Sequence, residues 1–285
     1  MKKEWKIVCI DLKKMFKSPK IYLLLFFSFF FLRDYVNMNE IKALAEQMNL
    51  AVPPAVYPLI LGEWSYRLFV FLMLIMLMAD VPFQDDSVLY TIQRTGFQKW
   101  MNGKILSVFM ISVVYQLLFF LLSILILLPD LGFANQWGDV FETVSYNHTQ
   151  AFASTGNIWS MQEIMNNYTP VAAVLYTFLL SVLIGTMIGL FIFLVNGITK
   201  SQAGMVLVLI YGCADLFFDA LSSFGYSVSI PLVMSWMDLS KLYAGTYQSG
   251  KLSIWTAFVV LLLINSALVY FLKKSVRFRV IKPIE

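Results

Sequence analysis

The sequence has few of the residues from which enzyme active sites and soluble domains are built. Only 13% of its 285 residues are charged, and it contains one histidine and two cysteines. His148, Cys9 and Cys213 lie too far apart to suggest a zinc site, a catalytic triad or a disulfide framework. The net charge of +4 gives no basic tract of the kind that nucleic-acid binding requires.

Apolar residues are abundant instead, at 59% of the chain, with a mean hydropathy of +0.74. They occur in long runs, which indicate transmembrane helices. We predict an all-α, polytopic membrane protein with six transmembrane helices. The predicted spans are about 17–36, 59–79, 105–128, 170–195, 203–221 and 253–272. At the outer end of the second span, Glu63 and Arg67 lie four residues apart, so they can pair on one helix face.

The charges orient these spans. An inner N-terminus puts 16 of the 21 lysine and arginine residues inside and five outside, as the positive-inside rule requires. Residues 1–20 then form a cytoplasmic amphipathic helix, residues 21–272 the transmembrane domain and residues 273–285 a basic cytoplasmic tail. The loop 80–104 lies inside, and the loops 37–58, 129–169 and 222–252 lie outside. In the last of these, a semi-apolar stretch at 230–237 suggests a re-entrant helix.

The N-terminal helix carries its apolar residues on one face, a pattern typical of a helix that lies flat in the membrane interface. Those residues are Trp5, Val8, Cys9, Leu12 and Phe16. The open alternative is a basic flank that only orients the first span.

One segment resembles a phosphate-binding loop. Residues 245–251 fit the spacing G-x-x-x-x-G-K, but Leu252 stands where serine or threonine must hold magnesium, and no strand pattern precedes it. The segment also falls outside the cell in this topology. We therefore expect no nucleotide site, no other cofactor and no metal in this chain.

Two features lie within the predicted spans. Asp215 is an intramembrane acid, which points either to a translocation path or to a hydrogen-bonded helix end reached by water. Asp219 lies one turn later, nearer the end of the span. Ser181, Gly185 and Gly189 form a small-residue ladder, which predicts close helix packing within one subunit or, alternatively, a dimer seam.

The cytoplasmic loop 80–104 carries the most informative pattern. Val88, Leu89 and Ile92 share one helical face, Asp85 and Asp86 suit the start of a helix, and Gly96 is able to end it. Phe97 and Trp100 then return the chain to the membrane interface. We predict a short helix with an exposed apolar edge that docks a soluble partner. An ordinary interfacial loop is the alternative.

This architecture resembles the ABC-2-type exporter permeases of bacteria. The loop is similar to that family's coupling helix in its pattern Asp80-x-Pro-Phe…Arg94-x-Gly…Lys99-Trp…Gly103-Lys104. The resemblance implies a bacterial plasma-membrane exporter with a second permease subunit, identical or related. It also implies separate cytoplasmic ATPase subunits, which hold the ATP and magnesium. The coupling residues implied are Phe83, Asp85, Asp86, Val88, Leu89, Ile92, Arg94 and Phe97.

Two other classes stay open. A stand-alone secondary transporter or channel requires a polar path through the spans, for which Asp215 is a candidate without a basic partner at the same depth. A membrane enzyme requires clustered catalytic groups, and none is evident on either side. Peptides, lipid-linked glycans, antibiotics and small drugs are all compatible substrates.

Overall fold

The computed structural model describes residues 2–36, 38–81, 88–128, 130–132, 136–146, 158–223, 233–245 and 251–275. This part of the chain is almost entirely helical. Three helices are long and apolar enough to cross a membrane, or up to five when two sharply bent helix pairs each count as one span. A shorter apolar stretch at 203–215 adds to them. The predicted all-α fold is thus confirmed.

The N-terminal segment is a helix, a break and a second helix. Helix α1 spans Lys2–Lys17 and helix α2 spans Pro19–Phe30, continued by a π-helical turn at Phe31–Tyr35. Ser18 has extended backbone angles and its hydroxyl accepts from the Lys20 N–H at 3.3 Å. This capping residue and the proline after it begin a new helix rather than prolong the first, and the chain bends by 62° there.

The predicted second span is not a single helix. Helix α3 (Met38–Met48) is followed by the short helix α4 (Val56–Gly62) and by α5 (Trp64–Met78). Glu63 has extended backbone angles, and α4 and α5 meet at 100°. All seven residues of α4 are buried. The prediction of one helix over 59–79 is therefore wrong, because α4 turns inward and packs its apolar residues among the other helices instead of continuing the line of α5.

The cytoplasmic loop of the sequence prediction is shorter than expected. Helix α6 spans Val88–Thr95, and α7 begins at Phe97 and runs without interruption to Ile126. Gly96 joins them with φ +82°, a conformation that glycine adopts without strain. Residues 97–104, predicted as loop, form the first two turns of α7.

The remaining elements follow in order. They are α8 (Gly138–Tyr146), α9 (Ile158–Asn167), α10 (Pro170–Thr199), α11 (Ala203–Ser223), 3-10 turns at Val233–Met237 and Leu239–Lys241, strands β1 (Leu242–Tyr243) and β2 (Leu252–Ser253), and α12 (Ile254–Ser275). The two strands pair in parallel. Residues 224–232, which contain the start of the predicted re-entrant stretch, lie outside the described part.

Helix α10 occupies the centre of the bundle and packs against α7, α11 and α12. Its buried face includes Ser181, Gly185 and Gly189. A side chain at Gly185 would collide with Ser112 of α7, and one at Gly189 with Val108 of the same helix. The ladder therefore brings α10 and α7 together within one chain, as small residues permit.

Some of the contacts between distant residues lie at the two ends of the helices, while others, such as that of Ser112 with the Val182 carbonyl, lie between them. At one end, Lys20 pairs with Asp80 and the Asn196 side chain donates to the Val81 carbonyl at 3.0 Å. At the other end, the contacts join α3 to the end of α7, α9 to β2, and the start of α10 to β1. Those contacts are Lys42 Nζ to Leu128 O, Lys251 Nζ to Glu163 Oε2 and Tyr168 Oη to Leu242 O. Successive helices thus run from one end of the bundle to the other.

Candidate functional site

Helix α6 lies against the start of α7 with an inner and an outer face. Val88 and Ile92 are half-buried and pack against the hydrophobic core. Tyr90 on the opposite face is 71% exposed, with Gln93 and Arg94 exposed beside it. The expected exposed apolar edge is therefore wrong for Val88 and Ile92: their face holds α6 to the bundle, and the open face presents an aromatic ring and a guanidinium.

The structure describes only some of the other predicted coupling residues. Phe83, Asp85 and Asp86 lie outside the described residues, and for Leu89 only the backbone is described. Phe97 is half-buried, with its ring 5.9 Å from that of Trp100. Their roles in coupling stay predictions.

A buried ion pair joins α1 to α7. Lys104 Nζ donates to both carboxylate oxygens of Asp11, at 2.8 and 3.0 Å, and Ser107 Oγ donates to the same carboxylate at 2.7 Å. Asp11 and Lys104 are each 4% exposed. A Cβ at Gly103 would approach Ile7 of α1 to 2.9 Å, so the two helices touch closely. Helix α1 is thus attached to the bundle along its length, with an ion pair that a helix lying free in the interface does not need.

Helix α1 also reaches α6. Lys3 Nζ donates to the Arg94 carbonyl at 3.4 Å. The carbonyls of a last helical turn lack partners within their own helix, and lysines are common donors to them. The three elements α1, α6 and the first turns of α7 therefore form one unit at this end of the bundle, which we call the N-terminal platform.

Asn196, near the end of α10, ties three further elements together. Its amide nitrogen donates to the Val81 carbonyl at 3.0 Å, just after α5, and its side-chain oxygen accepts from the Gly204 N–H at 2.9 Å, at the start of α11. A Cβ at Gly204 would meet that oxygen at 2.8 Å. One amide thus links the ends of α5, α10 and α11 beside the N-terminal platform.

Asp215 lies at a narrow cavity near the opposite end of the bundle, 94% buried. Arg67 of α5 lines the same cavity, together with Phe71, Gly212 and Met234. The cavity measures only about 10 Å³, room for one water molecule at most. The expectation that Asp215 lacks a basic residue at its depth is therefore wrong.

The same arginine anchors the 3-10 turns. Arg67 Nη1 lies 2.9 Å from Asp238 Oδ2 and donates to the Leu61 carbonyl at 3.2 Å. Asp238 also caps the second turn by accepting from the Ser240 N–H. The sequence predicts that Arg67 pairs with Glu63 on one helix. Glu63 lies at the break before α5, where its carbonyl accepts from the Arg67 N–H at 3.0 Å, and the Arg67 side chain also pairs with Asp238.

Several groups named from the sequence build no site in the described part of the chain. Of the segment that resembles a phosphate loop, residues 246–250 are not described, and Lys251 pairs with Glu163 at 2.7 Å. His148 lies outside the described residues. Among the residues that are described, no group of three histidine, cysteine or acidic side chains is placed to hold a metal ion. Cys9 and Cys213 are exposed free thiols.

Four residues that form these buried contacts were not predicted, because the sequence indicates them only weakly. Asp11 is an acid within the apolar face of a basic helix, and Lys104 lies seven residues into a helix that we expected to begin later. Asn196 and Asp238 are single polar residues beside apolar runs. Each signal is common in loops and helix ends, and only the packing shows that the side chain is buried and bonded.

Comparison of the chain with protein-family models, with curated proteins and with solved structures gives no match.

Proposed function

We propose that this chain is the transmembrane permease subunit of an ATP-binding cassette exporter in a bacterial plasma membrane. The observation that carries the proposal is the position of α6: a short helix with an outward aromatic and basic face, seated directly on the first turn of a long apolar helix. The resemblance of the 80–104 loop to the coupling helix of ABC-2-type permeases supports the same assignment. A P-loop ATPase would be the driving partner.

The proposed topology has six spans with both ends of this sequence in the cytoplasm. Its support is the charge count of the sequence together with the end contacts described above, which are compatible with helices that cross in alternating directions. The spans would be α2 with its π turn, α5, α7, α10, α11 and α12, with α4 inserted from the outer side. Helix α5 is only 15 residues long, or about 22 Å, which is shorter than a hydrocarbon core of about 30 Å, and α4 would pack across its outer end.

The arrangement suggests how partner motion reaches the membrane. A partner that pulls on Tyr90 and Arg94 moves α6, and Gly96 passes that displacement to α7 without an intervening loop. Because Asp11 and Lys104 form an ion pair, α1 would move together with α6 and α7. Asn196 connects the end of α5 to α11, and α5 and α11 carry Arg67 and Asp215 at their other ends. Displacement of the platform would thus alter the closed outer cavity and release substrate outward.

The outer face of α6 supplies the test. We would replace Tyr90 by serine and Arg94 by glutamate, and measure capture of the ATPase and stimulation of its ATP hydrolysis in nanodiscs. Tyrosine and arginine are frequent hot spots, and loss of one costs about 2 kcal/mol, or roughly 30-fold in affinity. Ile92 is a poor choice for this test because charge on its buried face would unseat α6 from the bundle.

Gln202→Glu is the matched control, since Gln202 is exposed at the same end of the bundle but outside α6. It should leave capture unchanged. Undiminished capture by both Tyr90→Ser and Arg94→Glu, in protein that inserts normally, would reject α6 as the coupling helix. A purified chain that transports without any ATPase would reject the whole assignment.

A stand-alone, ion-coupled transporter is the second candidate, favoured by one observation. Asp215 and Arg67 line one buried cavity, and intramembrane ionisable residues frequently mark ion paths. In this alternative, Asp215→Asn would abolish transport that runs on an ion gradient. The permease assignment instead expects transport to follow ATP hydrolysis by the partner and to ignore the gradient.

A further inference from the structure

An open groove runs between α7 and α12, with α10 as its floor. It has a volume of about 650 Å³. Leu106 and Phe109 form one wall, Leu262 and Val269 the other, and Leu183 and Leu190 the floor. Thr186, Asn265 and Ser266 add polar groups, so the upper part of the groove is mostly but not wholly apolar.

The lower end of the groove opens into a basic cavity of about 560 Å³, and Asn102 and Lys273 line both spaces. Lys99, Lys273 and Lys274 line this cavity and are exposed. The one carboxylate among the residues that line the two spaces is Glu4, at the groove edge. Three ammonium groups against one carboxylate leave the mouth positively charged.

The helices that form the walls, α7 and α12, each pack against α10 and are held there by contacts with it. Asn265 of α12 donates its amide to the Leu183 carbonyl of α10 at 3.1 Å and to the Leu261 carbonyl at 2.9 Å. This bond holds α12 against α10, while α7 packs on another side of α10. The space between α7 and α12 is left open by that arrangement.

We infer that this groove binds one anionic phospholipid of the cytoplasmic leaflet. The phosphate would lie among Lys99, Lys273 and Lys274, and one acyl chain would lie along Phe109, Leu183 and Leu262. The inference depends on the proposed orientation, which places the basic mouth at the cytoplasmic surface. It does not depend on an ATPase partner.

Charge and length both favour this occupant. Basic pockets between transmembrane helices on the cytoplasmic side suit anionic headgroups. From Lys273 to Leu262, α12 rises by about 16 Å, close to half of a hydrocarbon core about 30 Å thick. A soluble anion would fill only the mouth, and an uncharged lipid would leave three lysines without a counter-charge.

The test is native mass spectrometry of the full chain released from nanodiscs that contain phosphatidylglycerol and phosphatidylcholine in equal parts. We expect one phosphatidylglycerol retained per chain. The variant Lys99→Gln/Lys273→Gln/Lys274→Gln should lose it, because each lysine near an anionic headgroup contributes about fivefold in affinity. The control Lys13→Gln/Lys14→Gln/Lys17→Gln removes the same charge from α1 and should retain the lipid.

A second pair of variants tests the apolar part without a change of charge. Ser266→Trp fills the groove and should expel the lipid, whereas Leu263→Trp, on an exposed face of α12 outside the groove, should not. Millimolar inorganic phosphate should not displace the lipid, because the acyl chain contributes to its binding.

Four results would overturn the inference. They are equal loss of lipid from the two lysine triples, equal retention of phosphatidylcholine, displacement by inorganic phosphate, and a Leu262→Cys cross-link between two copies with no lipid retained. The last would assign the groove to a second copy of the chain. Retention of the lipid by a chain that captures no ATPase would separate this inference from the proposed function.

Discussion

Replacement of Lys104 by methionine should release α1 from the bundle. Methionine keeps most of the length of the side chain but removes the ammonium that donates to Asp11 at 2.8 and 3.0 Å. The carboxylate, 96% buried, would keep only the Ser107 hydroxyl as a donor within this network. Removal of one member of a buried ion pair costs about 3–5 kcal/mol, since the remaining charge stays desolvated.

The double variant Asp11→Leu/Lys104→Met should behave differently. Both charges are gone, and Ser107 still donates to the Gly103 carbonyl at 3.0 Å, so its hydroxyl keeps a bond. Replacement of a buried pair by apolar residues of similar size is often neutral. We expect the double variant to lie within about 1 kcal/mol of the natural chain.

Hydrogen exchange of the backbone amides in residues 2–17 measures how firmly α1 is held to the bundle, because it reports the local opening of α1. Lys104→Met should raise exchange there by roughly 10²–10⁴-fold and leave α10 protected. The double variant should restore protection. If Lys104→Met and the double variant exchange alike, the pair is reached by water and does not hold α1.

Three further predictions concern packing and the outer segment. Gly185→Ile should destabilise the chain by about 1–3 kcal/mol through overpacking against Ser112, measured by unfolding in mixed micelles, with Gly245→Ala as the control in open space. Arg67→Met should cost about 3–5 kcal/mol by stranding the buried Asp238, whereas Arg33→Met, in an exposed pair, should cost at most about 1 kcal/mol. Burial raises the pKa of Tyr168 to about 12, so the stability that this phenol contributes is complete below pH ~10 and is lost between pH ~10 and ~12; ultraviolet titration against Tyr168→Phe measures that ionisation.

Each has a contrary result. Unchanged stability of Gly185→Ile would mean that α7 and α10 do not approach closely. Equal effects of Arg67→Met and Arg33→Met would mean that water reaches the outer pair. Ionisation of Tyr168 near pH 10 would mean that its hydroxyl is exposed rather than bonded to the Leu242 carbonyl.

The long apolar helices follow directly from the sequence, since hydropathy and helix length are properties of a single segment. The predicted spans 170–195 and 203–221 lie close to α10 and α11 as the structure has them. The break at Glu63 does not follow from the sequence, because Val56–Met78 is apolar nearly throughout and its 100° turn depends on where α4 packs. Periodicity describes one helix at a time and says nothing of a neighbour that lies across it.

In the candidate site, too, some features follow from the sequence and others depend on packing. That a helix lies between Asp80 and Gly96 follows from the spacing of its apolar residues and from the glycine at its end. Which face of that helix is exposed does not follow from the sequence. Val88 and Ile92 pack against the core, whereas Tyr90 is exposed. A short amphipathic helix gives the same pattern whether its apolar face meets a partner or its own bundle.

The polar contacts at each end of the bundle constrain how motion could pass along its helices. Near the end of α10, Asn196 bonds to the Val81 carbonyl and to the Gly204 N–H, so the end of α5 and the start of α11 cannot separate without breaking a side-chain bond. Gly212 lets α11 approach Phe71 of α5 closely, which keeps the same two helices in register farther along. Because packed helices move as rigid bodies between discrete arrangements, a rotation of α5 imposed at Val81 would reach Arg67 with little loss. In the proposed exporter, the cavity beside Asp215 would then open where Arg67 separates from Asp238, and we expect this ion pair to be broken in an outward-open state.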